Sequence, residues 1–464
     1  MNKFVIPSEL KKMNAIFEQS GFSAYLVGGA VRDITMGRTP HDWDLATNAK
    51  PEEVMKIFNK VIPTGIAHGT VTVHFMKKEI EVTTFRTEAD YSDGRHPDKV
   101  EYAATIEEDL SRRDFTMNAM AINLSDGKLI DPFKGKKDIK KKIIRTVGKP
   151  EERFTEDGLR PVRAIRFSAK LGFQIEKATF TAMKKAEVLK KTQSVSPERF
   201  RDELMKMLEA EKPSHGLKIM EECGVMAIFM PELLTGRNLS QADDRGYHIF
   251  DVLDHNYYAC DGAPKEKPLL RLAALLHDTG KFEAKNEKEK DGFKIINFYN
   301  HENYSEKTAE KLMTRLKFSN AQIEYVCHLI NNHMFHYEST WSDAAVRRFL
   351  VKVKPEYVED LIDLRLADMY GKYNEDVRKH DSPACQLLTE LLDRIKKIED
   401  EKNALSLKTL AVNGKDLIEI GIPAGKELGS ILNELFETVL EDPAQNQKET
   451  LLNIAKKIYE NRNL

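Results

Sequence analysis

The sequence predicts an α+β protein: an N-terminal head built on a small mixed sheet with helices, followed by an elongated, all-helical body. Three observations predict it. β-branched runs alternate with helical stretches over the first third of the chain. From about Gly148 onward, apolar residues recur with the 3.6 period and strand signals nearly vanish. The length, 464 residues, exceeds one ordinary core, so roughly two to four domains are expected.

Within the head, Ala24 to Val27 reads as a strand that runs into Gly28-Gly29. Pro51 opens a helix through Phe58, with Glu52 and Glu53 favouring its N-terminus. Thr70 to Phe75 and Glu79 to Phe85 are β-branched and read as a hairpin pair. Three breaks then divide the chain into 1–147, 148–236, 237–371 and 372–464. The texture changes near Gly148, Thr235-Gly236-Arg237-Asn238 punctuates the helices, and a charged break falls between Lys372 and His380. Lys285 to Gly292 reads as an exposed charged loop.

No apolar run approaches the length of a membrane span, and the first residues lack the apolar core of a secretory signal. A soluble, cytoplasmic protein is expected. Cys223, Cys260, Cys327 and Cys385 are far apart, with no CxxC spacing, and read as small buried residues rather than disulfide partners or zinc ligands. The formal charge of −2 gives no global attraction to nucleic acid, so an RNA-binding surface must be local. Lys134 to Lys142 and Lys184 to Lys191 are the candidates, with solvated helix faces as the plainer reading.

The chemistry-bearing pattern begins with Gly28-Gly29-Ala30-Val31-Arg32-Asp33 and Asp42-Trp43-Asp44-Leu45. Glycines between a strand and a helix let backbone N–H groups approach a triphosphate closely. Arg32 can supply a charged contact to phosphate oxygens. Asp42 and Asp44 alternate across Trp43, which places both carboxylates on one side of an extended strand. Magnesium prefers few carboxylates and takes its remaining ligands from phosphate and water. Glu81, on a later strand, is the candidate third carboxylate, with an exposed strand residue as the alternative.

Further on come Arg112-Arg113-Asp114-Phe115-Thr116-Met117-Asn118-Ala119-Met120, then Asp131-Pro132-Phe133. After these stand Glu156-Asp157-Gly158-Leu159-Arg160-Pro161-Val162-Arg163-Ala164-Ile165-Arg166-Phe167 and Ser196-Pro197-Glu198-Arg199-Phe200. Arg113 and Asp114 can read ribose hydroxyls or phosphates; a structural Arg–Asp pair is the other reading. Asp157, Arg160, Arg163 and Arg166 recur every third residue, which on a helix makes a polar stripe suited to phosphate or a base edge, or a solvated face.

Five ordered motifs across about the first 230 residues resemble the class II tRNA nucleotidyltransferases and the bacterial poly(A) polymerases. The resemblance implies a nucleotidyltransferase head at 1–147 and a helical neck at 148–236 that binds base and RNA. It implies catalysis by Asp42, Asp44 and Glu81 with Mg2+. Nucleotide contacts would come from Gly28, Gly29, Arg32, Arg113, Asp114, Asn118, Asp157, Arg160, Arg163 and Arg166. In the family the residues matching Asp157 and Arg160 present hydrogen-bonding edges to the incoming base. A carboxylate accepts from an exocyclic amine and a guanidinium donates to a ring acceptor, so cytosine and adenine fit while uracil and guanine do not. Glu88 to Val100 resembles a loop that full CCA-adding members possess and CC-only members lack.

A second constellation runs His248, His277-Asp278 and Asp368, with His301 and His333 behind it. Mixed imidazole and carboxylate ligands suit Mn, Ni, Co or Fe better than Mg. The order resembles the HD phosphohydrolases and implies an HD domain over 237–371, with 372–464 as a helical tail. His255, His328, His336 and His380 receive no role. The expected activity is addition of CCA to tRNA from CTP and ATP, with phosphoester hydrolysis as a possible second activity. Poly(A) or A-only addition uses the same head, and a non-catalytic RNA-binding protein is the alternative from another class. Intact Asp42 and Asp44 argue against the last.

Overall fold

Short β-branched runs set the head of this protein, whose structure is a computed structural model describing residues 4–40, 42–66, 69–89, 99–241, 249–290, 293–376, 382–401 and 405–462. The first five strands are β1 (Ala24–Val27), β2 (Asp44–Thr47), β3 (Val61–Gly65), β4 (Thr70–Phe75) and β5 (Lys78–Thr84). They are followed by β6 (Arg86–Ala89), β7 (Lys99–Tyr102), β8 (Ala121–Asn123) and β9 (Leu129–Ile130). Seven of them form one sheet in the order β3-β4-β5-β2-β1-β8-β9. All neighbours are antiparallel except β2 and β5, which run parallel. The mixed sheet is therefore as expected.

Alternation along β4 and β5 buries Val71, Val73, Ile80 and Val82 on one face, with Met13 and Phe17 of the helix Ser8–Gln19 in the same head. The helix Pro51–Ile57 begins with Pro in its first turn, and the Glu53 carboxylate accepts from the Lys50 amide at 2.8 Å. That carboxylate cap and the proline explain why the helix starts there. β6 and β7 pair as a separate ribbon; residues 90–98 of the expected loop lie outside the described residues.

The chain divides into two compact units, Met1–Leu234 with Thr314–Phe318, and Thr235–Met313 with Ser319–Leu464. Their division falls between Leu234 and Thr235. After the head the first unit is mainly helical, and its short strand Gln174–Ile175 pairs with Ile143–Ile144 at the end of the head. The described residues of the second unit are mainly helical, with one hairpin. Lys285 to Gly292, expected to be a loop, is largely an antiparallel strand, Asn286–Lys290, paired with Phe293–Asn297. The body is thus not purely helical.

Near the C-terminus, Leu417, Ile431, Leu435, Val439 and Leu451 form a separate buried cluster. Cys223, Cys260 and Cys327 are buried and Cys385 half-buried; all four are free thiols. Among the described residues no helix is long and apolar enough to cross a membrane.

Candidate active site

Two strand registers assemble the first site. Val27 of β1 lies opposite Asp44 of β2, so the next residue, Gly28, leaves the sheet beside that carboxylate. Asp44 in turn lies directly beside Glu81 of the parallel strand β5. Asp42 stands in a bend two residues before Asp44, outside the strand that was expected to carry both. Burial and the nearby Asp42 push the Asp44 carboxyl above its ordinary value, against the opposing pull of Arg113. Burial and Asp44 do the same to Glu81. Acids crowded in this way are what a divalent cation would relieve, so the residues fit a metal.

Gly28 has φ +68° and ψ −134°, a conformation that L side chains avoid. A Cβ there would stand 3.3 Å from Nη1 of Arg113 and 3.6 Å from Oδ2 of Asp44. Gly28→Ala is therefore expected to cost about 1–2 kcal/mol of stability through its backbone. It should also lower activity far more than Gly37→Ala, where φ is +75° but no atom lies within 4 Å. Equal losses of activity in the two variants would show that Gly28 matters for its backbone alone.

The arginine motifs form an internal lattice. Buried Asp109, which sequence reasoning missed, accepts from Nε and Nη2 of Arg112 at 3.0 and 2.8 Å and from Nη2 of Arg113 at 3.1 Å. Burial alone would raise its pKa, but Arg113 and Arg112 hold it below the usual range. Its signal was the spacing of one acid three and four residues before Arg112 and Arg113, the spacing of ion pairs on a helical turn. Arg32 donates to Asp33 at 2.9 Å and to the Asn118 side-chain oxygen at 3.0 Å. Asn118 donates to Asp114 at 3.2 Å, and the other Asp114 oxygen accepts from Arg163 at 2.8 Å. Arg166 donates to Glu203 at 2.5 Å. The half-buried Arg163 and Arg166 are thus engaged with Asp114 and Glu203 rather than forming the expected open stripe.

Asp157 is not on the helix with them. It lies between Pro150–Glu156 and Arg160–Leu171, at a turn where a Cβ on Gly158 would come within 2.3 Å of the Lys191 carbonyl oxygen. One Asp157 oxygen accepts from the Leu159 amide at 3.0 Å and the other from Arg199 at 2.9 Å. Arg160 is buried and donates to Glu156 at 2.5 Å, to the Arg153 carbonyl at 2.8 Å and to the Arg112 carbonyl at 3.2 Å.

A second site lies within the other unit. His277 and Asp278 sit in the turn just after the helix Pro268–Leu276 rather than on the helix itself. His248 lies outside the described residues, and the histidine that joins the cluster is His255, in the helix Val252–Gly262. One oxygen of Asp278 stands 3.2 Å from Nε2 of His255 and 3.3 Å from Nε2 of His277. Asp368 adds an oxygen 3.3 Å from His255. The other Asp278 oxygen stands 3.0 Å from Nε2 of His301 and 3.8 Å from Nε2 of His333.

Bonds of about 2.1 Å at tetrahedral or octahedral angles put ligand atoms roughly 3.0–3.4 Å apart. Most of these spacings fall in that range, with Asp278 as the bridge between two halves. The hydrogen bonds on the far side of the rings agree. Nδ1 of His277, His301 and His333 donates to the carbonyls of Ala274, Phe298 and Ile330 at 2.7, 2.8 and 2.6 Å, which turns each Nε2 toward the centre. Burial alone would hold His277 neutral, yet Asp278 and Asp368 push it up to about 9. Burial and the neighbouring His277 and His301 bring His333 down to about 3.

Comparison with known proteins decides the family. Residues 24–145 match the family model described as "Poly A polymerase head domain", 172–235 "Probable RNA and SrmB- binding site of polymerase A", and 288–455 "tRNA nucleotidyltransferase domain 2". The CCA-adding enzyme of Ligilactobacillus salivarius is 33% identical to this chain over 98% of both chains. The chain belongs to the CCA-adding enzyme family. It is a class II tRNA nucleotidyltransferase by that membership. The CCA-adding enzyme of Enterococcus faecalis is 32% identical, again over 98% of both chains. The crystal structure of the Bacillus stearothermophilus CCA-adding enzyme in complex with CTP is 28% identical, with a TM-score of 0.72 over 99% of each chain. Nucleotidyltransferases of this family use a divalent metal.

Proposed function

We propose that this chain adds CCA to the 3′ end of tRNA from CTP and ATP, releasing pyrophosphate, and that it acts in the cytoplasm. The observation that carries the reading is the alignment of Asp44 with Glu81 beside Gly28, within reach of Arg113. Asp42, Asp44 and Glu81 are the residues that would hold Mg2+. When bound, that ion would favour the ionised attacking 3′ hydroxyl and offset charge on the departing pyrophosphate. Gly28 and Gly29 would let backbone N–H groups approach the triphosphate, while Arg32 and Arg113 supply positive charge near it. The 3′ oxygen forms a bond to the α-phosphorus as the bond to pyrophosphate breaks.

Asp157 and Arg160 would read the base without a nucleic-acid template, and Arg199 would hold Asp157 in place. Arg163 and Arg166 would shape this wall through Asp114 and Glu203. The basic runs Lys134–Lys142 and Lys184–Lys191 would meet the tRNA backbone. The names of the relatives favour CCA addition over poly(A) addition, although the two activities use the same type of head.

This reading is tested by base choice. The wild type should extend a tRNA transcript with CTP and ATP and reject UTP and GTP. Asp157→Ala or Arg160→Ala should narrow that discrimination about tenfold, because a mispaired buried donor or acceptor costs about 1–3 kcal/mol. Slower addition with unchanged selectivity would reassign both residues to structure.

A second reading rests on the six-residue cluster. We propose that His255, His277, Asp278, Asp368, His301 and His333 hold one or two transition-metal ions such as Mn, Ni, Co or Fe. This assignment replaces His248 with His255. Metal at such a centre lowers the pKa of bound water, and the site would hydrolyse a phosphoester such as a 2′,3′-cyclic phosphate at an RNA end.

A further inference from the structure

Beside the carboxylates of the head, the sheet carries hydroxyls to which the nucleotide-addition reading gives no role. Directly paired residues of neighbouring strands share a face. Asp44 of β2, Glu81 of β5 and Thr72 of β4 therefore form one row. The next row holds Ala46, Thr83 and Thr70, and it is covered at one end, because Ala46 is buried in an apolar cluster with Ile106 and Leu110. In the first row Thr72 is half-buried, and Thr64 of the neighbouring strand β3 is exposed.

The edge strand β3 pairs with β4 at Ile62–Thr72 and again at Gly65–Thr70, with a register shift between the two. A bulge of this kind re-aims a side chain. Thr64 lies within it, and its Oγ1 stands 2.9 Å from Oγ1 of Thr72. Two hydroxyls bring two protons and spend one on the bond between them, so the pair keeps one O–H and free lone pairs. Neither hydroxyl has a further hydrogen-bond partner among the described residues.

The geometry of displacement says what comes to this place. On the reading above, the triphosphate lies on the Gly28 side of Asp44, near Arg32 and Arg113. The attacking oxygen stands opposite the departing pyrophosphate. The strand order β4-β5-β2-β1 puts Glu81 between Thr72 and the triphosphate, so the acceptor's 3′ hydroxyl arrives from the β4 side. Neighbouring strands lie roughly 4.8 Å apart, and a sugar ring seated at Glu81 therefore reaches Thr72. A ribose 2′ hydroxyl both donates and accepts, which matches a threonine pair with one proton to spare. We infer that Thr72 and Thr64 seat the terminal ribose of the acceptor and recognise its 2′ hydroxyl, so that RNA ends are extended in preference to DNA ends. This rests on the nucleotide-addition reading and adds specificity-determining residues to it.

Two tRNAs ending immediately before CCA test it, one with a ribose and one with a 2′-deoxyribose at the last nucleotide. The first CTP addition by the full chain is measured as kcat/KM for each tRNA. The missing hydroxyl also changes the reactivity of the 3′ oxygen, but alike for every variant, so a change in preference isolates the contact. The wild type should prefer the ribose end. Thr72→Val, nearly isosteric, should lower that preference about tenfold, the scale of one lost hydrogen bond that leaves its partner unpaired. Thr64→Val should lower it in the same direction, and Thr72→Ser should retain it. Thr70→Val breaks a hydroxyl pair of the same kind, 3.0 Å from Thr83, and should leave the preference unchanged. An equal preference in wild type and Thr72→Val would overturn the inference and leave CCA addition standing. A loss of preference for CTP over dCTP in its place would assign the pair to the incoming sugar, which also overturns it. If Thr72→Val does not fold, Thr64→Val on the edge strand carries the same comparison. No addition to either tRNA by the wild type would remove the reading on which the inference rests.

Discussion

Replacing Asp44 with alanine is expected to lower nucleotide addition by about 10³-fold or more, since on the proposed reading it would remove a carboxylate that holds the divalent metal. The fold should survive. Asp44 sits at the edge of β2, where burial and Asp42 hold its carboxyl above its ordinary value, so its ionised form costs stability. The sign follows from that shift. A raised folded-state pKa gives stability that is present below the ordinary value of 3.8 and lost as pH rises through the elevated value. Glu81 behaves alike from its ordinary 4.5. Added Mg2+ should therefore raise the melting temperature more at neutral than at acidic pH, and Asp44→Asn should reduce that difference. Near wild-type addition by Asp44→Ala would remove this residue from the mechanism. A melting temperature insensitive to Mg2+ at every pH would remove the metal from the trio.

The double change His277→Ala, Asp278→Ala is expected to abolish transition-metal binding in the second unit and any phosphoester hydrolysis there. Asp278 is the residue shared by both halves of the cluster, so its loss breaks both. Nucleotide addition should persist at near wild-type rate, because the carboxylates at Asp42, Asp44 and Glu81 belong to the other unit. Removing buried side chains risks the fold, so Asp368→Asn, nearly isosteric, provides a second route to the same loss. Metal content after reconstitution, measured with Asp42 and Asp44 already replaced, separates the two centres. Retention of bound metal by both variants would reduce the cluster to a buried polar network.

Much of the head was legible because its strands announce themselves. Thr70 to Phe75 alternates β-branched residues along a half-buried face, and β4 occupies those residues. The partnership of Asp44 with Glu81 was not legible. A parallel pairing that skips two intervening strands leaves no local trace, and only the register supplies it. Asp157 was placed on a helix by its three-residue spacing, yet Gly158 and Pro161 already marked a helix restart after it. The hairpin after Lys285 was hidden by its charges, although Asp291-Gly292 between alternating runs is a turn signal. His255 was passed over for His248. The helical period places His255 on the face shared by Val252, Asn256 and Ala259, which is buried. Apart from the adjacent His277 and Asp278, the residues of the cluster come from separate elements, so their convergence belongs to packing rather than to spacing.

The measurement that tests the central claim most directly is extension of a tRNA transcript ending immediately before CCA, with the products resolved at single-nucleotide length. CTP alone should add two residues and stop; CTP with ATP should add three and stop. ATP alone should give little on this transcript and one residue on a transcript already ending in CC. That outcome is what the proposed site should produce, with Asp42, Asp44 and Glu81 of the head at the chemistry and Asp157 and Arg160 of the neck at the base. Long adenylate tails from ATP alone, or no extension with either nucleotide, would contradict it.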